Sequence, residues 1–150
     1  MQKIYVINGP NLNLLGSREK EIYGTVSLKE IHDKLEDISN KKNVLLEFFQ
    51  SNSESKIVDY IQKLNGKDNS FLVINPAAFT HTSIAIRDAL IYVNIPFIEL
   101  HISNIFNRES FRKKSYFSDI SIGVISGLGT YGYEIAMDYG IYYLEKNKWT

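Results

Sequence analysis

The sequence has no cysteine among its 150 residues, and it has only 3 prolines and 3 histidines. Without cysteine the chain can form no disulfide, no thiolate metal centre and no thiol nucleophile. It also has no net charge, because 17 basic and 17 acidic side chains cancel, which disfavours a nucleic-acid or membrane surface. No run reaches the ~18 apolar residues of a membrane helix, and the apolar run Ile4–Ile7 is too short for a signal peptide. We therefore expect a cytoplasmic protein with no membrane or nucleic-acid partner.

Short apolar runs, rich in β-branched and aromatic residues, alternate with segments of helical periodicity. The runs are Ile4–Ile7, Val44–Phe49, Phe71–Ile74, Pro96–Leu100 and Ile120–Ile125. Uninterrupted apolar runs are typical of strands buried on both faces, as in a parallel sheet. The alternation predicts an α/β fold with one domain over residues 1–150, built on a flavodoxin-like, doubly wound, five-stranded parallel sheet.

Helical periodicity fills the segments between these runs. The first expected helix begins at the capping box of Ser27 and Glu30. The second has Ile57, Ile61 and Leu64 on its apolar side and stops near Gly66. The third runs from Ser83 to Val93, and the last runs from about Tyr131 to Asn147 with Ile135, Tyr139 and Tyr142 on its apolar side. The stretch from Asn8 to Val26 is irregular and much longer than the usual ~4–6-residue connection. We expect a lid loop there, at about residues 16–26.

Polar side chains follow several of the predicted strands. Ligands of open parallel sheets bind outside the carboxyl ends of the strands, so these residues are candidates for a functional site. They are Asn11, Arg18 and Tyr23 after the first strand, Asn75 and His81 after the third, and His101 and Ser103 after the fourth, with the apolar Ile102 between the last two.

Two residue pairs could carry proton transfer. Glu99 and His101 are two apart in a strand and so share a face, where the carboxylate could hold one imidazole nitrogen and leave the other free. A buried histidine satisfied by its neighbour explains that pair equally well. Arg18 lies near Tyr23 in the loop, and a guanidinium close to a phenol favours the phenolate, which is a base. Packing is the alternative role for Tyr23.

His81 precedes the predicted cap of the third helix, either Thr82 or Ser83, where it would face the helix N-terminus. It could instead be a helix-entry residue without a ligand. The basic cluster Arg108, Arg112, Lys113 and Lys114 is either a local anion site or a solvated face.

The segment Gly127–Gly132 matches the G-x-G-x-x-G fingerprint of dinucleotide sites. No further strand follows to carry the acidic residue that binds the ribose, so close helix–sheet packing explains the glycines better. A flavin or nucleotide carrier of the same fold is the alternative that this segment keeps open. The histidine spacing predicts no metal site.

The sequence resembles the type II 3-dehydroquinate dehydratases over nearly its whole length. The segments that carry the likeness are Ile7–Gly16, Arg18–Glu19 with Tyr23–Gly24, Gln50–Asn52, Ile74–Ala78 with Thr80–Ser83, Arg87–Leu90, Glu99–Asn104, and Arg108–Glu109 with Phe111–Arg112. The resemblance implies a flavodoxin-like lyase of the shikimate pathway. It would catalyse anti dehydration of 3-dehydroquinate to 3-dehydroshikimate through an enolate, with neither a metal nor an organic cofactor.

The resemblance also implies a role for each matching residue. Tyr23 would be the general base with Arg18 holding its charge, His101 the general acid oriented by Glu99, and Asn11 a holder of the water on the enolate oxygen. Asn75, Ile102 and Ser103 would bind the substrate carboxylate region, and His81 and Arg112 the ring hydroxyls. Asp88 would reach the site of a neighbouring subunit, since family members look like trimers assembled into dodecamers.

Three positions depart from the usual pattern of the family. Lys20 stands where the lid commonly has proline, Ser55 replaces a common glycine, and Phe106 stands where histidine is frequent. None is a catalytic position, so we expect them to affect lid ordering and local packing.

An inactive oligomeric scaffold is the remaining alternative to an active dehydratase.

Overall fold

A five-stranded parallel sheet forms the centre of the structure, a computed structural model that describes residues 1–64 and 69–148. The strands are β1 Lys3–Asn8, β2 Leu45–Gln50, β3 Ser70–Asn75, β4 Phe97–His101 and β5 Gly123–Ser126. Their order is β2-β1-β3-β4-β5, with every neighbouring pair parallel. The predicted flavodoxin-like fold is confirmed.

Helices cover both faces of the sheet. They are α1 Lys20–Tyr23, α2 Leu28–Lys42, α3 Glu54–Gln62, α4 Ile84–Val93 and α5 Tyr131–Lys146. Short 3-10 turns occupy Leu12–Leu14, Ala77–His81, Ile105–Asn107, Ser110–Lys113 and Ser118–Ile120. The predicted stop at Gly66 lies outside the described residues.

Alternate residues of the inner strands point to opposite layers of the core. On β1, Ile4 and Val6 pack in the layer covered by α2 and α5, whereas Tyr5 and Ile7 pack in the layer covered by α3 and α4. Every residue of β3 is buried. The apolar runs of the central strands are therefore continuous because both faces of the sheet lie under helices.

Serine side chains begin three of the helices. Ser27 accepts a hydrogen bond from the Glu30 backbone N–H at 3.1 Å, as the capping box predicts. Ser83, one of the two candidates for the third helix, accepts from the Ile86 N–H at 3.0 Å. Ser53 does the same for α3. These caps fix where each helix begins after its strand-end loop.

The predicted strand Ile120–Ile125 is too long at its start. Ile120 ends a 3-10 turn, and β5 begins only at Gly123. The Phe117 carbonyl accepts hydrogen bonds from the N–H groups of both Ile120 and Ser121, so the chain turns before it joins the sheet.

The predicted apolar side of the last helix is wrong. Tyr139 and Tyr142 of α5 are exposed, at 37% and 52%, while Tyr133, Met137 and Ile141 enter the core. The helix carries apolar and aromatic residues on all sides, so its periodicity did not identify the buried face. None of the helices in the described ranges, 1–64 and 69–148, is both long and apolar enough to span a membrane.

Candidate active site

A cleft opens at the carboxyl ends of β1, β3 and β4. The sheet order reverses direction between β1 and β3, and open α/β sheets place their ligands at such a switch point. The predicted site residues that line this cleft are Asn11, Arg18, Tyr23, Asn75, His81, His101, Ile102, Ser103 and Arg112. Glu99 lies behind His101 and is fully buried.

Arg18, Glu19 and Tyr23 of the predicted lid line this cleft and lie between two glycines whose φ is in the left-handed region. Gly16 has φ +90° and Gly24 has φ +78°, a conformation that favours glycine. Between them, the short helix α1 ends at Tyr23. The loop therefore brings the Tyr23 phenol over strand ends that lie far away in sequence.

Two guanidinium groups contact Tyr23. Arg108 Nη1 donates to the Tyr23 hydroxyl at 2.9 Å. The guanidinium of Arg18 lies 4.8 Å from the centre of the ring and contacts its face. Sequence reasoning paired the phenol with Arg18 and did not assign Arg108 to the site. The available signal was the Arg108–Glu109 segment among the matching motifs.

Arg108 is held in place from a second side. Its Nη1 also donates to Ser103 Oγ at 3.1 Å, and its side chain is only 14% exposed. Arg108 thus links Tyr23, in the loop between Gly16 and Gly24, to Ser103, in the loop that follows β4. The guanidinium therefore donates to the phenol oxygen from a fixed position.

His101 and Glu99 form a buried pair on the same face of β4, as their spacing predicts. His101 Nε2 lies 2.8 Å from Glu99 Oε2. A carboxylate accepts hydrogen bonds, so Nε2 carries the proton and Nδ1 is left to the cleft that His101 lines. The ring is therefore oriented for proton exchange with a bound ligand.

Two serines complete the environment of Glu99. Ser115 Oγ donates to Oε1 at 2.5 Å, and Ser118 Oγ lies 3.0 Å from both carboxylate oxygens. Burial by itself would raise the pKa of Glu99, but the hydrogen bonds from His101, Ser115 and Ser118 outweigh it and hold that pKa below its usual value. Glu99 is thus an anion beside His101. Sequence reasoning missed both serines, which lie in an irregular segment without periodicity.

His81 lies across the cleft as a neutral ring. Its Nδ1 donates to the Lys114 carbonyl at 2.6 Å, so Nε2 is an acceptor. Burial, and after it the electrostatic effects of His101 and Arg112, hold the pKa of His81 below its usual value even though the hydrogen bond with the Lys114 carbonyl opposes this. His81 lies in the 3-10 turn before α4.

Arg112 lines the same cleft. The Nε of Arg112 donates a hydrogen bond to Glu109 Oε2 at 2.6 Å. The basic cluster therefore divides. Arg108 and Arg112 line the cleft, whereas Lys113 and Lys114 are exposed outside it. Arg108 and Arg112 thus place positive charge in the cleft.

The loop after β1 is tied to the end of β2. The Asn11 N–H donates to Asn52 Oδ1 at 2.9 Å, and Gln50 Nε2 donates to the Gly9 carbonyl at 3.2 Å. Asn11 takes a left-handed φ of +68°, which asparagine tolerates. The Gln50–Asn52 motif thus positions Asn11 at the edge of the cleft.

Asp88 does not reach the cleft of its own chain. It is exposed on α4, while its neighbour Arg87 pairs with Asp119 at 2.5 Å. The glycines of Gly127–Gly132 also lie outside the cleft. Gly127 and Gly129 have positive φ, and a Cβ at Gly132 would lie 2.8 Å from Leu100 Cδ1, which supports the packing interpretation of that motif.

The sheet topology and the cleft residues together identify a flavodoxin-like α/β protein with acid–base groups at the switch point of its sheet. Residues 2–141 match the family model described as dehydroquinase class II. A 3-dehydroquinate dehydratase of Buchnera aphidicola subsp. Cinara cedri is 57% identical over 97% of this chain and 96% of its own. One from Teredinibacter turnerae is 52% identical over 99% and 96%.

Solved structures agree with the sequence relatives. The type II dehydroquinase of Butyrivibrio crossotus matches with a TM-score of 0.88 and 46% identity, over 92% of this chain and 96% of that one. The chain belongs to the class II dehydroquinase family, as its motifs predicted, and it is therefore an enzyme of the type II 3-dehydroquinate dehydratase kind.

Proposed function

We propose that this enzyme dehydrates 3-dehydroquinate to 3-dehydroshikimate by anti elimination through an enolate intermediate, as a step of the shikimate pathway in the cytoplasm. The observation that carries the proposal is the cleft itself. In the cleft, the phenol of Tyr23 is hydrogen-bonded to the guanidinium of Arg108. The imidazole of His101 is hydrogen-bonded to the buried carboxylate of Glu99.

Tyr23 takes the first proton. As a phenolate it accepts a proton from the carbon next to the substrate ketone, and the electrons of that C–H bond move onto the ketone oxygen as an enolate. Arg108 at 2.9 Å and Arg18 over the ring stabilise the anionic base before the transfer. Asn11 holds a water on the enolate oxygen, and a fixed donor at such an oxygen contributes about 10²–10³ in rate.

His101 completes the elimination. The enolate collapses, the C–O bond to the leaving hydroxyl breaks, and the imidazolium gives its Nδ1 proton to that oxygen, so water leaves. The Glu99 anion on Nε2 stabilises the charged ring before the transfer and orients it. Solvent then returns the proton from Tyr23 to His101.

The remaining cleft residues bind the substrate. Asn75 and the backbone amides of Ile102 and Ser103 hold its carboxylate region, while His81 and Arg112 hold the ring hydroxyls. The neutral His81 ring offers an acceptor at Nε2, and Arg112 offers donors, which suits hydroxyl groups.

The assembly is a homo-oligomer of trimers in a dodecamer, with Asp88 completing a neighbouring site. The exposed position of Asp88 on α4, outside its own cleft, supports this arrangement. Light scattering of the purified enzyme measures the oligomer. A monomer with full activity would contradict the role of Asp88.

Ultraviolet absorbance tests the reaction, because the product is a conjugated enone and the substrate is not. Addition of 3-dehydroquinate to the purified enzyme should produce that absorbance without added metal or cofactor. The stereochemistry is tested with substrate that carries deuterium at the position next to the ketone and anti to the leaving hydroxyl. This deuterium should be lost from the product. Absence of the enone signal would instead favour an inactive scaffold, and retention of the anti deuterium would exclude the proposed stereochemistry.

A further inference from the structure

A buried hydroxyl lies between two asparagines at the carboxyl ends of the central strands. Tyr133 of α5, only 1% exposed, donates from its hydroxyl to Asn8 Oδ1 at 2.6 Å. Asn75 Nδ2 donates to the same Tyr133 oxygen at 3.0 Å. Asn8 ends β1 and Asn75 ends β3, and both are buried. The Tyr133 side chain of α5 thus extends through the core to Asn75, which lines the cleft.

The direction of each hydrogen bond in this network is fixed. Asn8 Nδ2 donates to the Phe49 carbonyl at 3.1 Å, and a carbonyl can only accept, so Asn8 must turn its Oδ1 toward Tyr133. That oxygen takes the single hydroxyl proton of Tyr133. The Tyr133 oxygen can then only accept, which requires the Nδ2 of Asn75 to face it.

The opposite side of the Asn75 amide gives the same orientation. Asn75 Oδ1 accepts from the Ala77 N–H at 3.2 Å. One Nδ2 hydrogen is bonded to Tyr133, and across residues 1–64 and 69–148 no protein acceptor takes the other. Since Asn75 lines the cleft, the amide presents a donor there. A donor suits a carboxylate or another anionic oxygen.

Packing alone does not account for the Tyr133 hydroxyl. A phenylalanine would fill the same space in the core, and burying a hydroxyl is unfavourable unless it is hydrogen-bonded. Burial raises the pKa of Tyr133, so the phenol stays neutral and keeps its proton for Asn8. The hydroxyl is uncharged, donates one hydrogen bond to Asn8 and accepts one from Asn75. Of these two partners, Asn75 is the one that lines the cleft.

We propose that Tyr133 is a positioning residue for substrate binding, whose hydroxyl holds the Asn75 amide with its donor toward the cleft. The inference rests on the proposed function, in which Asn75 binds the carboxylate region of the substrate. It adds a relay from the Phe49 carbonyl of β2 through Asn8 and Tyr133 to Asn75.

Steady-state kinetics with 3-dehydroquinate test this role in a double-mutant cycle of Tyr133→Phe and Asn75→Ala. Loss of a buried hydrogen bond next to the binding group should raise KM about 10- to 100-fold for Tyr133→Phe, with kcat changed much less. The double variant should be no worse than Asn75→Ala alone, because Tyr133 acts through Asn75. Tyr143→Phe, on the same helix but outside the cleft and the network, is the matched control and should keep wild-type constants.

Thermal unfolding shows whether each variant is folded. If Tyr133→Phe does not fold, Asn8→Ala takes its place in the cycle, since it removes the acceptor that fixes the hydroxyl proton. An unchanged KM in the folded variant, or losses that add in the double variant, would overturn the positioning role. Wild-type enzyme without any turnover of 3-dehydroquinate would instead overturn the proposed function, so the two failures are distinguishable.

Discussion

Arg108 and Tyr23, 85 residues apart in the chain, are joined by a 2.9 Å hydrogen bond from the guanidinium to the phenol oxygen. The bond links the lid to the loop after β4, where Arg108 also contacts Ser103. Arg18 contacts only the face of the same ring at 4.8 Å. The two arginines therefore contact the phenol in different ways, and the kinetics of their variants can separate the two contacts.

Removal of Arg108 should slow turnover. In Arg108→Ala the phenol loses its direct hydrogen-bond donor, so we expect kcat at neutral pH to fall about 10-fold or more. Arg18→Ala should lower kcat less, because Arg18 contacts only the face of the ring. The measurement is kcat at neutral pH, with the exposed neighbour Lys113→Ala as control. An unchanged kcat in both arginine variants would contradict the assignment.

Tyr23→Phe and His101→Ala should each reduce turnover by several orders of magnitude, since general acid–base groups contribute about 10²–10⁴ each. The fold should remain, because Tyr23 is only half-buried and Glu99 keeps its hydrogen bonds from Ser115 and Ser118 when the His101 ring is removed. Enone absorbance gives the rate and circular dichroism the fold. Tyr92→Phe, at a position that is 74% exposed, controls for loss of a phenol elsewhere. Near-normal turnover in either site variant would rule out its role.

Glu99 should make stability depend on pH in the acidic range. Its pKa in the folded protein lies below the usual ~4.3, so its contribution to stability is fully present above that value and is lost as pH falls through the lower folded pKa. Glu99→Gln should therefore lower Tm at neutral pH, and the difference from wild type should shrink toward pH ~3. Ser115→Ala should have a smaller effect with the same trend. Thermal unfolding between pH ~3 and ~7 measures it, and a constant difference across that range would contradict the explanation.

Gly9→Ala should destabilise the protein by about 3 kcal/mol, at the upper end of the usual cost of overpacking, because backbone atoms cannot yield. A Cβ on Gly9 would overlap the backbone carbonyl of Pro76, whereas a Cβ on Gly123 meets nothing within 4 Å. Gly123→Ala is therefore a matched control that should change stability by less than about 1 kcal/mol. Urea unfolding of both variants makes the comparison, and equal losses would show that the close approach of Gly9 to Pro76 is not limiting.

Most of the fold could be predicted from the chain because its signals are local. The apolar runs of β1, β3 and β4 are continuous, and the serine caps at Ser27 and Ser83 form with residues three positions away. The buried face of α5 could not be predicted in this way. Its apolar residues surround the helix, and the side that faces the sheet is marked only by the close approach of Gly140 to Phe71, a residue distant in sequence.

The site shows the same division. The pairing of Glu99 with His101 was predictable, since residues two apart in a strand share a face. Ser115, Ser118 and Tyr133 were not, because each reaches the site from an element distant in sequence.

The order of strands and helices, the family and the candidate residues at the strand ends could all be predicted from the chain alone. That Arg108, rather than Arg18, donates to the Tyr23 hydroxyl, and that Asn75 donates to Tyr133, became visible only in the folded molecule. Periodicity and capping depend on residues a few positions apart, whereas the direction of a side-chain hydrogen bond depends on atoms that folding brings together.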